Sequence, residues 1–424
     1  MTAKIVDSDC SFARTNQIVE IQVNLMKLKV RISFSILCVL IGALARGQSI
    51  AYHDFFDFAN VNTQTSAAIP VWPVTVTPSG VMYGSSRVGG SIGNGTLWSQ
   101  QNGALTVLHS FGTSIHTSSN AIARDGTDPT AVTLDGAGNM YGAAAELGEM
   151  SDGMIWKLDT QGNYTDLHDF GDPAANGVYD PSDGASPQTN VVIDGQGTLW
   201  GTTNNGATNR QGVSGNGTIW SISSTGVYTV VHVFGIGTDG ANPMGTISID
   251  GQGNLYGTTQ TGGSSSSGCV WKNSPSKGYS ILHQFGGPVA GDGAGPQGGV
   301  RLDSGGNLYG TTSLGGASFG GIIWELTAGG SYKVLHNFGG KVVNSGGASV
   351  SDGTEPSATA TLDQYGNLYG TTALGGAAGK GIIWEITTKG AYLDIHDFGG
   401  TLPNGNADGS YPAAPISIDV NGYL

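Results

Sequence analysis

The stretch TATLDQYGNLYGTTALGGAAGKGIIWEITTKGAYLDIHDFGG, residues 359–400, decides the fold. It contains four short segments with strand-like alternation, separated by Gly-bearing turns. The first is apolar and ends at Asp363. GNLYGTT (366–372) follows, then GIIWEIT (381–387), then AYLDIHDF (391–398). In the third, Ile382, Trp384 and Ile386 share one face and Glu385 takes the other. In the fourth segment of the preceding unit, the same alternation puts Tyr332, Val334, His336 and Phe338 on one face, opposite Lys333 and Asn337.

The pattern recurs upstream. Its tyrosine slot holds Tyr83, Tyr141, Trp200, Tyr256, Tyr309 and Tyr369. Its tryptophan slot holds Trp98, Trp156, Trp220, Trp271, Trp324 and Trp384. Its histidine slot holds His53, His109, His168, His232, His283, His336 and His396, so seven of the 8 histidines stand in one register. A four-strand unit of about 57 residues matches a propeller blade better than the shorter coil of a β-solenoid, and tight Asx-Gly turns favour antiparallel meanders. The expected fold is therefore all-β: a β-propeller over residues 50–424 with six complete blades. A seventh blade is expected to be incomplete and shared by the two ends, with residues 51–55 as its fourth strand and 415–419 as its first. About 20 residues of it would be missing at the C-terminus. A six-bladed ring with loose ends is the alternative.

Composition agrees with many tight turns, since 72 of 424 residues are glycine and only 11% are charged. The formal net charge is −14, and no basic run lies outside the N-terminal segment. Nucleic-acid binding, which needs clustered Lys and Arg, is excluded on that ground. Residues 26–31 (MKLKVR) and the apolar run 32–44 (ISFSILCVLIGAL), with Ala43-Leu44-Ala45 at its end, have the order of a signal peptide over 26–45. Translation is expected to start at Met26, leaving residues 1–25 as a spurious extension. No second apolar run follows, so no transmembrane helix is expected once the leader is removed. Cys10 and Cys38 lie in this N-terminal part. Cys269 would then be alone, and is read as a buried strand residue.

The blocks GNLYGTT, GIIWELT (321–327) and VLHNFGG (334–340) resemble the Gloeo-Verruco (GloVer) tandem repeat of bacterial extracellular proteins. The resemblance runs from about residue 50 to the end. It implies secretion, and in many members anchoring through a C-terminal sorting tail that this sequence does not show. It implies no enzymatic activity and supplies no catalytic residue.

Three residue series could carry chemistry. The histidines invite a metal or acid–base reading, but equivalent positions in different blades lie too far apart to converge, so they and the tryptophans are read as blade-building residues. The turns after Asp135, Asp194, Asp250, Asp303 and Asp363 offer one carboxylate each, which suits an Asx turn and falls short of a calcium loop. The third series is Asp-Gly-x-x-Pro, beginning at Asp125, Asp183, Asp239, Asp292, Asp352 and Asp408, in the most variable connection. Six carboxylates around a channel mouth could bind a cation or sugar hydroxyls, and these loops are the candidate binding surface. Asn94, Asn163 and Asn216 open Asn-x-Thr sequons at turns. No Gly-x-Ser-x-Gly elbow, phosphate loop, His-Glu-x-x-His pattern or close Cys pair occurs. No catalytic residue, metal or cofactor is expected. The expected function is a secreted or cell-surface binding scaffold for a glycan, cation or surface partner. A propeller-type hydrolase or lactonase and a structural surface protein are the alternatives.

Overall fold

The computed structural model describes residues 18–21, 30–33, 67–68 and 72–424, save 117–121, 172–182, 207–214, 236, 288–290, 402–407, 420–421 and 423. The chain divides into a short N-terminal unit, residues 1–52, and the ring unit, residues 53–424. In the first, Ile18–Ile21 and Val30–Ser33 pair antiparallel. The rest of the expected leader and start site, and the strand expected at 51–55 with His53, lie outside the described residues.

The ring unit is a six-bladed β-propeller. Each blade is an antiparallel meander whose strands pair in chain order. Blade five shows the plan: Arg301–Leu302, Leu308–Thr312, Ile322–Leu326 and Tyr332–Asn337. The innermost strands are short, two residues in every blade, because they converge on the axis. Separate meanders rule out the solenoid.

A seventh incomplete blade is not shown. Residues 415–419 form no strand, but they are not loose. Thr361 Oγ1 donates to the Ile416 carbonyl at 2.6 Å, and Ser417 Oγ donates to the Val74 carbonyl at 2.5 Å. Thr75, Thr133 and Ser248 donate in the same way to Val132, Val191 and Val300 of the next blade. The C-terminal segment thus sits between the inner strands of blades six and one and ties the ends of the ring together.

The core lies between blades. Trp98, Trp156, Trp220, Trp271, Trp324 and Trp384 are all buried, and from Trp156 to Trp384 each meets the Phe that follows the histidine of the preceding blade: Phe111 with Trp156, Phe285 with Trp324, Phe338 with Trp384. The glycine of GNLYGTT exists for this tryptophan. A Cβ on Gly370 would lie 2.2 Å from Trp384 Cζ2 on the adjacent strand. Gly370→Ala should therefore cost about 1–3 kcal/mol, read as a fall in the urea midpoint. An unchanged midpoint would mean that the indole is not held against the strand. Cys269 is a free, buried residue, and burial pushes its thiol up to about 11.

One detail of the alternation is corrected. In blade five Trp324 pairs with Val334 but Ile323 pairs with His336, so Leu335 is an extra residue, a β-bulge. The bulge turns His336 and Phe338 toward blade six while Tyr332 and Val334 face blade four. The same shift occurs in all six blades. Histidine and tyrosine of one strand therefore serve opposite neighbours.

Candidate functional site: the loop face of the ring

The meander sorts the connections onto two ends. The Asp-turns between strands one and two share one end with the turns between strands three and four. The Gly-Gly loops between strands two and three share the other end, the loop face, with the blade-to-blade connections that hold Asp-Gly-x-x-Pro.

The structure brings together two series that the sequence reading kept apart. Each histidine Nε2 reaches the carboxylate of the next Asp-Gly-x-x-Pro loop: His109 with Asp125 at 2.5 Å, His168 with Asp183 at 3.1 Å, His232 with Asp239 at 3.0 Å, His283 with Asp292 at 3.4 Å, His336 with Asp352 at 2.8 Å and His396 with Asp408 at 2.9 Å. None of these aspartate side chains is more than 13% exposed. The next blade's tyrosine closes the group. Tyr392 lies flat on His336, with ring centroids 3.5 Å apart, and donates to Asp352 Oδ1 at 2.8 Å. Gly353 N donates to the same oxygen at 2.7 Å. Tyr332 repeats the arrangement on His283 and Asp292. Burial raises the Asp292 carboxyl, but the bonds from His283 and Tyr332 outweigh it and hold that group below the usual carboxylate range. The other two fixed letters of the motif also have mechanical roles. A Cβ on Gly353 would clash with Thr372, and Pro356 Cδ sits where a Cβ of Gly321 would be, 2.8 Å away.

Asp-Gly-x-x-Pro is thus a clamp between consecutive blades. Its six carboxylates face histidines, not solvent. The Asp turns are equally self-contained. Asp303 accepts from Gly305 N, Asn307 N, Asn307 Nδ2 and Tyr309 OH, and Asp135, Asp250 and Asp363 do the same with their own neighbours. Asp194 keeps the plan with Thr198 and Trp200 as donors. Among the described residues, no group of three or more His, Cys, Asp or Glu could hold a metal ion. At the axis, the cavity lined by Trp72, Asn190, Thr246, Gly298, Ala358 and Pro415 measures about 60 Å³, room for little more than water.

The fourth letter of the motif is half-buried in four clamps and exposed in two, at Glu355 and Tyr411. The residue before each proline has a positive φ: Asp128 at 54°, Ser186 at 54°, Asn242 at 57°, Gly295 at 62°, Glu355 at 57° and Tyr411 at 56°. Five of these six are not glycine, although glycine would relieve the strain. The backbone N–H in this position points back to the previous blade, as Glu355 N does to the Gly320 carbonyl and Tyr411 N to the Lys380 carbonyl. Glu355 and Tyr411 are exposed. Arg87 and Lys380, from neighbouring Gly-Gly loops, reach Asp128 and Tyr411: the first as an ion pair at 3.2 Å, the second with Nζ 4.5 Å from the ring centroid. The Gly-Gly loops add Ile92, Leu314 and Phe319. Phe319 is 84% exposed at φ 60°, where blades four and six have Ser266 and Gly379. Sequence reasoning singled out the aspartates of these loops, which the structure turns toward the histidines, and passed over the pre-proline residues. The signal available was the variability of the pre-proline position beside an invariant Asp, Gly and Pro.

The Gloeobacter/Verrucomicrobia repeat profile matches residues 53–247 and 206–424. The chain belongs to the Gloeobacter/Verrucomicrobia repeat family. No curated protein matches the sequence. Among solved structures, a protein provisionally named a 6-phosphogluconolactonase from Bacteroides uniformis is 15% identical over 82% of this chain and 89% of its own, with a TM-score of 0.46. PorZ, a surface component of the type-IX secretion system of Porphyromonas gingivalis, is 14% identical over 74% of this chain and 39% of its own, with a TM-score of 0.45. At such depth these likenesses say nothing of activity, and none is taken from them.

Proposed function

We propose that this repeat protein is a secreted, non-catalytic scaffold that binds an extracellular glycan or surface component through its loop face. The carrying observation is the ring of strained pre-proline residues. Five side chains of different chemistry (Asp128, Ser186, Asn242, Glu355 and Tyr411) are held at positive φ on one face. Such strain, on the order of 1 kcal/mol or more at each residue, persists only where the frame imposes it, and it collects at sites that present side chains. The repeated titratable groups support the same reading, because the clamps and turns engage them internally and leave none poised for acid–base work. The exposed Glu355 carboxylate and the exposed Tyr411 ring suit sugar hydroxyls and an apolar sugar face. The leader pattern at residues 26–45 supports export, and among the described residues no helix is long and apolar enough to cross a membrane.

Tyr411→Ala combined with Glu355→Ala should lower binding to a glycan array or to purified cell-wall polymer by about tenfold or more, leaving the melting temperature unchanged. Undiminished binding by the double variant would remove the loop face from consideration. Turnover of sugar lactones or glycosides by the wild type would replace the scaffold with an enzyme.

A further inference from the structure

A cavity at the other end of the ring lies where the repeat is broken. In blades two, five and six the asparagine of the Asp turn also holds the neighbouring turn between strands three and four. Asn139 Oδ1 accepts from Thr160 N at 3.3 Å, Asn307 Oδ1 from Ala328 N at 3.1 Å and Asn367 Oδ1 from Thr388 N at 2.9 Å. Blade four has the asparagine, Asn254, but Pro275 stands where those donors stand, and proline has no N–H to give. The turn itself differs. Blades two, three, five and six place a glycine of positive φ, Gly162, Gly226, Gly330 or Gly390, six residues after the tryptophan. Blade four has Lys277 there and its glycine, Gly278, one residue later, with Ser274 paired to Gly278 and three residues in the loop.

The turns stay in contact through Gly253 and Pro275, and an open cavity of about 540 Å³ lies beside them, lined among others by Asn254, Lys272, Ser274, Ser276, Lys277 and Ser280. Asn254 is only 9% exposed. Its Nδ2 is bonded to Asp250 at 2.7 Å, which leaves the carbonyl Oδ1, the acceptor that blades two, five and six satisfy with the turn, without that donor in a residue that lines this cavity. Lys272 occupies the position of Glu325 and Glu385 in blades five and six, and rests with Nζ 5.2 Å from the Tyr256 ring centroid. None of the lining residues is acidic, in a protein of net charge −14.

We infer that this cavity is a second binding site, for an acidic sugar such as a uronic acid residue of a polysaccharide. The two ammonium groups take the carboxylate, Asn254 Oδ1 accepts a sugar hydroxyl, and the serine hydroxyls donate and accept around the rest of the ring. A volume of several hundred Å³ fits one or two sugar residues. The site lies at the opposite end from the pre-proline ring and stands or falls independently of it.

The test is isothermal titration of the purified chain with trigalacturonate, a neutral galactose trisaccharide and inorganic sulfate. Wild type should bind trigalacturonate at least about tenfold more tightly than the neutral sugar or sulfate. Lys272→Glu, the residue blades five and six already carry, should abolish that preference. Pro275→Ala, which restores the turn's N–H to Asn254, should weaken trigalacturonate about tenfold without lowering the melting temperature. Equal affinity for the neutral sugar, sulfate binding as tight as the sugar acid, or unchanged titration of both variants would each overturn the assignment.

Discussion

Replacing Asp352 by alanine is expected to cost about 3–5 kcal/mol of stability, the largest effect of any single polar substitution in the ring. The carboxylate is buried at 1% exposure and joins three elements at once. His336 comes from blade five, Tyr392 from blade six, and Gly353 from the connection between them. Alanine would strand an imidazole and a phenol between two packed sheets. Urea denaturation reads the loss as a lower midpoint with little change of slope. A solvent-facing ligand carboxylate would behave in the opposite way. Removing one of six like charges around a mouth would leave stability unaltered or slightly raised.

Replacing Asp394 by valine should stabilise the protein, and only at neutral and alkaline pH. The slot opposite the buried tryptophan holds Val107, Val230, Ile281 and Val334 in blades one, three, four and five. Blades two and six have Asp166 and Asp394 there, each followed three residues later by a second aspartate, Asp169 or Asp397. Asp394 is 3% exposed, and neither of its oxygens has a side-chain partner among the described residues. Burial first, then the neighbouring Asp397 and Asp352 carboxylates, push its carboxyl up to about 7. Burial and the bond shared with Asp166 raise Asp169 in the same direction. An unfolded aspartate releases its proton near pH 4, while the folded chain keeps it to about 7. Stability contributed by the protonated form is therefore complete below pH 4, falls as pH rises through that window, and levels off above it. The Asp394→Val protein should equal the wild type within about 1 kcal/mol at pH 4 and exceed it by about 2–4 kcal/mol at pH 8. A difference that does not change with pH would place the charge in solvent.

The ring was legible because its signals are local. Tryptophan, tyrosine and histidine recur at fixed offsets within each unit, and strand alternation with glycine turns gives four strands without reference to anything distant. The clamp was not legible for the converse reason. Histidine and aspartate are separated by 16, 15, 7, 9, 16 and 12 residues in successive units, so no spacing advertises the bond. The bulge at Leu335 and its equivalents hid the partner further, since strict alternation aims His336 at the wrong neighbour. The incomplete seventh blade followed from counting strand segments. In the structure Ala414, Ile416 and Ser417 bond to blades six and one, and a seventh incomplete blade is not shown. The blade-four cavity was open to reading, because Pro275 occupies an aligned position where three other units need an N–H. That observation has weight only once the asparagine's partner is known.

The central claim is that the repeated histidine and aspartate are one device, an inter-blade clamp, and not two rows of functional groups. A double-mutant cycle on His336 and Asp352 tests it most directly, with His336→Ala, Asp352→Ala and the pair compared by urea unfolding. The account predicts that the double variant loses about 1–3 kcal/mol less than the sum of the single losses, because either substitution alone already breaks the bond. Additivity within about 0.5 kcal/mol would show that the two side chains do not hold each other, and the clamp would fall.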